Sequence, residues 1–240
     1  MTPLYRIHVI HVPGVDSARD RIVSTLVSEA GACIHEDPER NGVMWNYLRA
    51  LKCATEDETP WSVILSDDAL PLVGWKEELA LAIRYSPSPL LSLGYLGSYG
   101  LKAHQKGAPY GVGRNLVWGV GNAYRKDFLT LFESWAQPVV AKTGYPHDDR
   151  LAASFCEKIG ILPAVTARAI FSLANAPSLV GHGGHLKMLP ALTIESPGHP
   201  WSQRKRFAKV SASWYPQMEK LVQTEVVGIP AGRVREVAGG

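Results

Sequence analysis

Residues 6–66 alternate two kinds of apolar pattern, and that alternation restricts the fold more than any other feature of the chain. Residues 6–12 are rich in Ile and Val and stop at Pro13-Gly14, which predicts a first strand. Residues 18–30 carry Ile22, Val23, Leu26 and Val27 at helical spacing, and Gly31 ends that helix. A short second strand at 33–35 runs into Glu36-Asp37, and residues 44–54 read as a helix with Trp45, Leu48, Leu51 and Lys52 on neighbouring turns. Trp61–Ser66 is an unbroken apolar run, the pattern of a strand covered on both faces. Strand, helix, strand, helix, strand predicts an α/β chain with a mostly parallel central sheet flanked by helices.

The alternation continues with a helix at 77–85, a break at 87–89 and a strand at 90–96. Residues 94–121 hold eight glycines together with Tyr95, Tyr99, Tyr110 and Trp118, so a long irregular segment beside the ligand crevice is expected there. Helices follow at 125–135 and 148–160, then a strand at 161–167 and a Gly- and His-rich loop at 177–185. Periodicity is weak beyond Pro200. The expected organisation is one domain over residues 1–190 and a basic C-terminal extension over 191–240.

Charge sharpens that division. The net charge is +3, yet from Leu186 onward eight Lys or Arg face four acids, so the excess lies in the tail. A basic tail suits a polyanionic partner without requiring one. Cys33, Cys53 and Cys156 are odd in number and widely spaced, which argues against a disulfide framework and for packing roles. Apolar runs are too short to span a bilayer, setting the expectation of a soluble, cytoplasmic protein without a stable membrane anchor.

Three constellations could carry chemistry. Asp67 and Asp68 close the apolar run at 61–66, where the ligand crevice of an open α/β sheet lies. Paired hard oxygens there suit Mg2+ or Mn2+ and a diphosphate; the plainer reading is that they cap a helix starting near Trp75 or Lys76. His147-Asp148-Asp149 precedes an apolar helix, so Asp148 or Asp149 is either a first-turn acid or a general base for a substrate hydroxyl. His182 and His185 sit among three glycines in the late loop, and either could complete a metal site begun by Asp67 and Asp68.

Other residues are subsidiary. Arg19 and Arg21 follow the first strand and could meet a phosphate, while Asp37, at the end of the second, could meet a base or ribose, with Asn46 and Arg49 on the helix behind it. Trp201 to Phe207 interleaves Arg204, Lys205 and Arg206 with aromatic rings, which suits phosphate contact and base stacking, or simply a solvated basic face.

In this order the motifs resemble small glycosyltransferases of the GT-A architecture, particularly bacterial lipooligosaccharide galactosyltransferases and small phage-encoded, DNA-modifying relatives. The resemblance spans residues 6–185. It rests on Val12-Pro13 and the Arg-containing helix after the first strand, on the segment from Val63 to Ala69 as the acidic metal motif, on His147-Asp148-Asp149 as the base motif, and on Pro177 to His182 as the late loop. Ser66 departs from the pattern, where a further carboxylate or other polar residue is common, and leaves the division of labour between Asp67 and Asp68 open.

The resemblance implies a nucleotide-sugar half at 1–68 and an acceptor half at 69–190. It implies a nucleoside diphosphate sugar donor, with UDP-sugar expected, bound near Val12, Pro13, Arg19, Asp37, Asn46 and Asp67. It further implies Mn2+ or Mg2+ held by Asp68 and His182 with Asp67 assisting, and Asp149 or Asp148 as the base of an inverting transfer. A hydroxylated or hydroxymethylated pyrimidine in phage DNA is the expected acceptor, met by Tyr99, Tyr110 and the basic tail, in the host cytoplasm if the chain is phage-encoded. A cell-surface glycan acceptor, and a non-catalytic nucleic-acid-binding module on the same scaffold, are the competing expectations.

Overall fold

The computed structural model describes residues 2–94, 97–114, 117 and 120–174. Along the chain the elements are β1 (Tyr5–His11), α1 (Ser17–Ala30), β2 (Cys33–Glu36), α2 (Val43–Glu56), β3 (Trp61–Ser66), β4 (Ala69–Pro71), α3 (Trp75–Arg84) and β5 (Leu90–Ser92). Then come α4 (Gly97–Gln105), β6 (Tyr110–Val112), β7 (Gly121–Arg125), α5 (Lys126–Thr143), α6 (Asp148–Lys158), β8 (Ala164–Thr166) and β9 (Phe171–Leu173).

Seven strands form one sheet in the order β2-β1-β3-β7-β5-β8-β6, and β4 pairs with β9 in a separate two-stranded sheet. β1 runs parallel to β2 and β3, β7 is antiparallel to β3 and β5, β8 is parallel to β5, and β6 is antiparallel to β8. Five of the seven strands therefore point the same way. The chain is an α/β protein with a mostly parallel, Rossmann-like central sheet flanked by helices.

The first three strands create the site. From β1 the chain moves to one side to make β2 and returns across to the other side to make β3, so the order reverses between β1 and β3. At such a switch point the two crossover helices lie on opposite faces and leave a crevice beyond the carboxyl ends of the strands. α1 fills one face, where Ile22, Val23 and Leu26 join Ile7, Val9, Val63 and Leu65 with α3 residues Trp75 and Leu79. α2 fills the other, where Tyr47, Ala50 and Leu51 pack with Ile64, Tyr124, Phe128, Phe132 and α6 residues Leu151 and Phe155. The first five residues of β3 are buried, as a strand at the middle of two such layers must be.

Local signals explain the boundaries. Asp16 caps α1, its Oδ1 accepting from Ala18 N at 2.7 Å and Arg19 N at 3.3 Å. Gly31 closes α1 at φ 62°, a left-handed conformation that favours glycine.

The structure departs from the sequence expectations in six places. Residues 94–121 are not one irregular segment, because α4 and β6 form within it. Of the strand expected at 90–96 the described residues form β5 at Leu90–Ser92, and that expected at 161–167 is β8 alone. β7, inserted antiparallel between β3 and β5, begins Gly-Asn, residues of low strand propensity that gain their place through pairing on both sides. α5 runs past Trp135 through Pro138 to Thr143, since Val139 and Val140 pack against the α2 face. Finally, Asp67 and Asp68 cap no helix: β4 follows them directly, and α3 begins at Trp75, after Gly74, without a side-chain cap.

Candidate active site

Asp67 and Asp68 stand beyond the last residue of β3 and differ sharply in surroundings. Asp67 is only 4% exposed. Its Oδ1 accepts from Arg19 Nη1, and its Oδ2 lies 3.0 Å from His11 Nδ1 and accepts from Val12 N at 3.2 Å. Asp68 retains 17% side-chain exposure; its Oδ2 accepts from Arg19 Nη2 at 3.2 Å, and its Oδ1 accepts from the Ser66 hydroxyl. Asp20, in the first turn of α1, places Oδ1 3.3 Å from the other nitrogen of His11.

The sequence reading named Val12, Arg19, Asp67 and Asp68, and the structure brings them together. It gives two of them other work. Arg19 is 3% exposed and turned back onto both carboxylates, so it does not face a phosphate in the crevice. Burial pushes the Asp67 carboxyl upward, but the His11 bond, the Arg19 charge and the Val12 amide outweigh it and hold the group below the usual range. Asp67 thereby anchors β1, β3 and α1 to one another.

The donor set fits a hard cation at Asp68 and fits it poorly at Asp67. Each Asp68 oxygen has one partner and so keeps acceptor capacity, whereas Asp67 is enclosed by donors. Charge points the same way. Three carboxylates, Asp20, Asp67 and Asp68, meet one guanidinium and one imidazole, which leaves net negative charge in either protonation state of His11. His182 and His185 lie outside the described residues, as do Arg204, Lys205 and Arg206.

Next to this cluster the ends of β1 and β2 are tied by groups that the sequence reading assigned to nucleotide contact. Asn46 is buried, and its amide donates to His35 O at 2.6 Å and His11 O at 3.3 Å, while its own Oδ1 has no hydrogen-bond partner. Asp37 is buried in its turn: Oδ1 accepts from Asn41 N and Nδ2, and Oδ2 accepts from Gly42 N, all within 3.0 Å. Those bonds overcome the upward push of burial and keep its pKa low. Asp37 thus shapes the entry to α2 through bonds that a ribose would have to displace. Arg49 stacks over Trp45 at 4.6 Å and donates to Glu36 O, and Pro13 follows Val12 in the β1–α1 turn.

Asp148 and Asp149 are the first two residues of α6, after His147, whose side chain makes no capping bond. Neither hydrogen-bonds to Asp67 or Asp68. Asp149 Oδ1 accepts from Arg150 N at 2.7 Å. Asp148 is partly buried on the α2 side, where its charge acts on the buried Tyr47–Tyr124 hydroxyl pair, 2.7 Å apart. Loss of hydration raises its pKa to about 6, with the Asp149 charge adding to the rise. That value suits a proton acceptor near neutral pH. Asp148 therefore stands on the α2 side of the sheet, opposite α1.

The two tyrosines assigned to the acceptor divide. Tyr99 falls in α4. Tyr110 lies in β6, not in a loop; its hydroxyl donates to Ala82 O at 2.9 Å and its ring packs against the α3 face, so it serves the core. Sequence reasoning overlooked His11, Asp20 and Arg168. A histidine inside an aliphatic strand was the available signal for His11, because a buried imidazole requires a partner. Arg168, just after β8, is 7% exposed, and neither terminal nitrogen has a hydrogen-bond partner. Burial lowers its pKa, and the Glu78 charge opposes that shift.

No protein-family model matches the chain, and no curated protein does. Among solved structures the chain is similar to the crystal structure of a glycosyltransferase involved in the glycosylation of the major capsid of PBCV-1, at 15% identity and a TM-score of 0.30 over 60% of this chain and 78% of that one. No helix among the described residues is long and apolar enough to cross a membrane.

Proposed function

We propose that the chain is a metal-dependent glycosyltransferase that moves a sugar from a nucleoside diphosphate sugar to an acceptor hydroxyl. The observation that carries this reading is the asymmetry of the strand-end pair: Asp67 is consumed by Arg19, His11 and Val12, whereas Asp68 keeps exposure and lone pairs inside a net negative cluster at the switch point. Asp68 would hold the divalent cation, with His182 of the late loop as a further ligand. A bound cation of this kind neutralises charge on a leaving diphosphate.

The chain's own groups supply the rest. Asn46 Oδ1, buried without a partner beside the ends of β1 and β2, is an acceptor for a donor N–H or hydroxyl of the nucleoside. Asp148 accepts the proton of the acceptor hydroxyl as that oxygen bonds to the anomeric carbon. The bond from that carbon to the diphosphate oxygen breaks, and its electron pair leaves with the nucleoside diphosphate. Attack opposite the leaving group inverts the anomeric centre. Asp149, bonded to Arg150 N, raises the Asp148 pKa by its charge.

For the acceptor we favour a hydroxylated or hydroxymethylated pyrimidine in DNA, supported by Arg204, Lys205 and Arg206 among aromatic residues. Incubation of the full chain with a panel of sugar nucleotides and Mn2+, with and without hydroxymethylated DNA, tests the proposal. Release of nucleoside diphosphate that rises with that DNA and falls steeply with salt is expected. DNA-independent, salt-insensitive release would favour a saccharide acceptor, and no release from any donor would refute transfer.

A further inference from the structure

On the sheet face opposite Asp67, a second constellation takes no part in the proposed transfer. His8 of β1 and His35 of β2 are buried and stacked, with His8 Nδ1 3.0 Å from His35 Nε2. Ligand atoms of His8, His35 and Cys53 of α2 all lie within 4.8 Å of one another. Parallel pairing sets this up: His8 sits opposite Cys33 and Ile10 opposite His35, so His8, Cys33 and His35 share the face that α2 covers. His8 and His11 project to opposite faces, about 10 Å apart along the strand.

The surroundings favour coordination. His8 Nε2 is 2.7 Å from Asp57 Oδ2, and because a carboxylate only accepts, the His8 proton belongs on Nε2. The Nδ1 lone pair then points at His35. This is the carboxylate–histidine arrangement that orients metal-binding imidazoles and raises their basicity. At the open edge, Arg6 lies 3.6 Å from Asp57 Oδ1 and donates to Cys33 Sγ at 3.0 and 3.1 Å, and its half-exposed side chain marks a route from solvent.

We infer that His8 Nδ1, His35 Nε2 and Cys53 Sγ form a binding site for a divalent transition-metal ion of the zinc class, distinct from the proposed crevice cation. Two imidazoles and one thiolate are borderline-soft donors, which suit zinc or cobalt and not magnesium or calcium. Tetrahedral zinc, with about 2.0–2.1 Å to nitrogen and about 2.3 Å to sulfur, needs donors about 3.3–3.7 Å apart; here the two nitrogens are 3.0 Å apart and all three donors lie within 4.8 Å of one another. On binding, the Cys53 thiol proton passes to solvent. The His35 proton moves from Nε2 to Nδ1, and the ion takes the place of the hydrogen bond between the rings. The ion staples edge strand β2 and helix α2 to β1 through three protein donors, and water fills the fourth position.

Cobalt(II) titration of the chelator-treated full chain tests the site, because a thiolate ligand adds a near-ultraviolet charge-transfer band and four-coordination adds strong visible bands. The expected result is saturation at one equivalent with both sets of bands, a rise in Tm with zinc, loss of the charge-transfer band in Cys53→Ser, and its retention in Asp68→Asn. Asp57→Asn should weaken affinity about 10- to 100-fold. Circular dichroism of Cys53→Ser matching the parent chain excludes misfolding as the cause of the loss. X-ray absorption of the zinc-loaded parent gives an independent ligand count, expected to include two imidazoles and one sulfur. A charge-transfer band undiminished in Cys53→Ser, or a zinc spectrum without sulfur, would overturn the assignment.

Discussion

Arg19 Nη2 lies 3.2 Å from Asp68 Oδ2 while the other terminal nitrogen of the same guanidinium holds Asp67, so one buried cation serves two carboxylates with different duties. Removing Asp67 strips the buried Arg19 guanidinium of the carboxylate that holds its Nη1. Asp67→Ala should therefore cost about 3–5 kcal/mol of folding stability, the usual penalty for breaking a buried ion pair from one side. Urea unfolding measures it. Asp68→Asn should cost far less stability and abolish metal-dependent sugar transfer, and equal stability losses in the two variants would contradict the division of roles.

Asp148 should show the opposite balance between stability and turnover. Its pKa is raised to about 6 in the folded chain, above the ordinary value of 3.8. The folded state therefore binds the proton more tightly, and stability falls as pH rises between those two values. Asp148→Asn should raise Tm at neutral pH, remove that pH dependence and eliminate transfer. In the parent chain, turnover should fall as pH drops through about 6. An activity limb unmoved in pH, with activity intact, in Asp148→Asn would pass the base role to Asp149.

Tyr47 and Tyr124 share one buried hydroxyl contact of 2.7 Å. Deleting either hydroxyl leaves the other without that partner, so Tyr47→Phe and Tyr124→Phe should each destabilise by about 1–3 kcal/mol. The double variant should fall well short of the sum, giving a coupling of about 0.5–3 kcal/mol in a double-mutant cycle read by denaturant unfolding. Additive losses would mean that the two hydroxyls act separately.

Arg168 is buried without a hydrogen-bond partner for either terminal nitrogen, an arrangement that costs stability unless an anion is met there. Arg168→Met should raise the unfolding free energy by about 1–4 kcal/mol, as replacement of buried charge by apolar volume often does. The same variant should weaken binding of an anionic substrate in calorimetry. A destabilised Arg168→Met would show instead that the guanidinium holds the fold.

The first half of the architecture was legible because periodicity reports burial directly: Trp61–Ser66 reads as a doubly covered strand, and Ile22, Val23 and Leu26 lie on the buried face of α1. β7 was not legible, since Gly121 and Asn122 become a strand only through pairing with β3 and β5. Tyr110 misled for the same reason: its neighbours in sequence are Pro109 and Gly111, which suggest a loop, but its neighbour in space is the Ala82 carbonyl. At the site, residue type located Asp67, Asp68 and Arg19, but it could not say that Arg19 turns inward. That outcome depends on Asp16 fixing the start of α1 and on which charges the fold encloses together.

Calorimetric titration of UDP-sugar into the full chain, with Mn2+ and again with excess chelator, tests the central claim most directly when run in parallel on Asp68→Asn. Saturable binding that requires Mn2+ and disappears in Asp68→Asn is the predicted result. Binding of equal strength in chelator and in that variant would contradict a cation-bearing Asp68 at the end of β3.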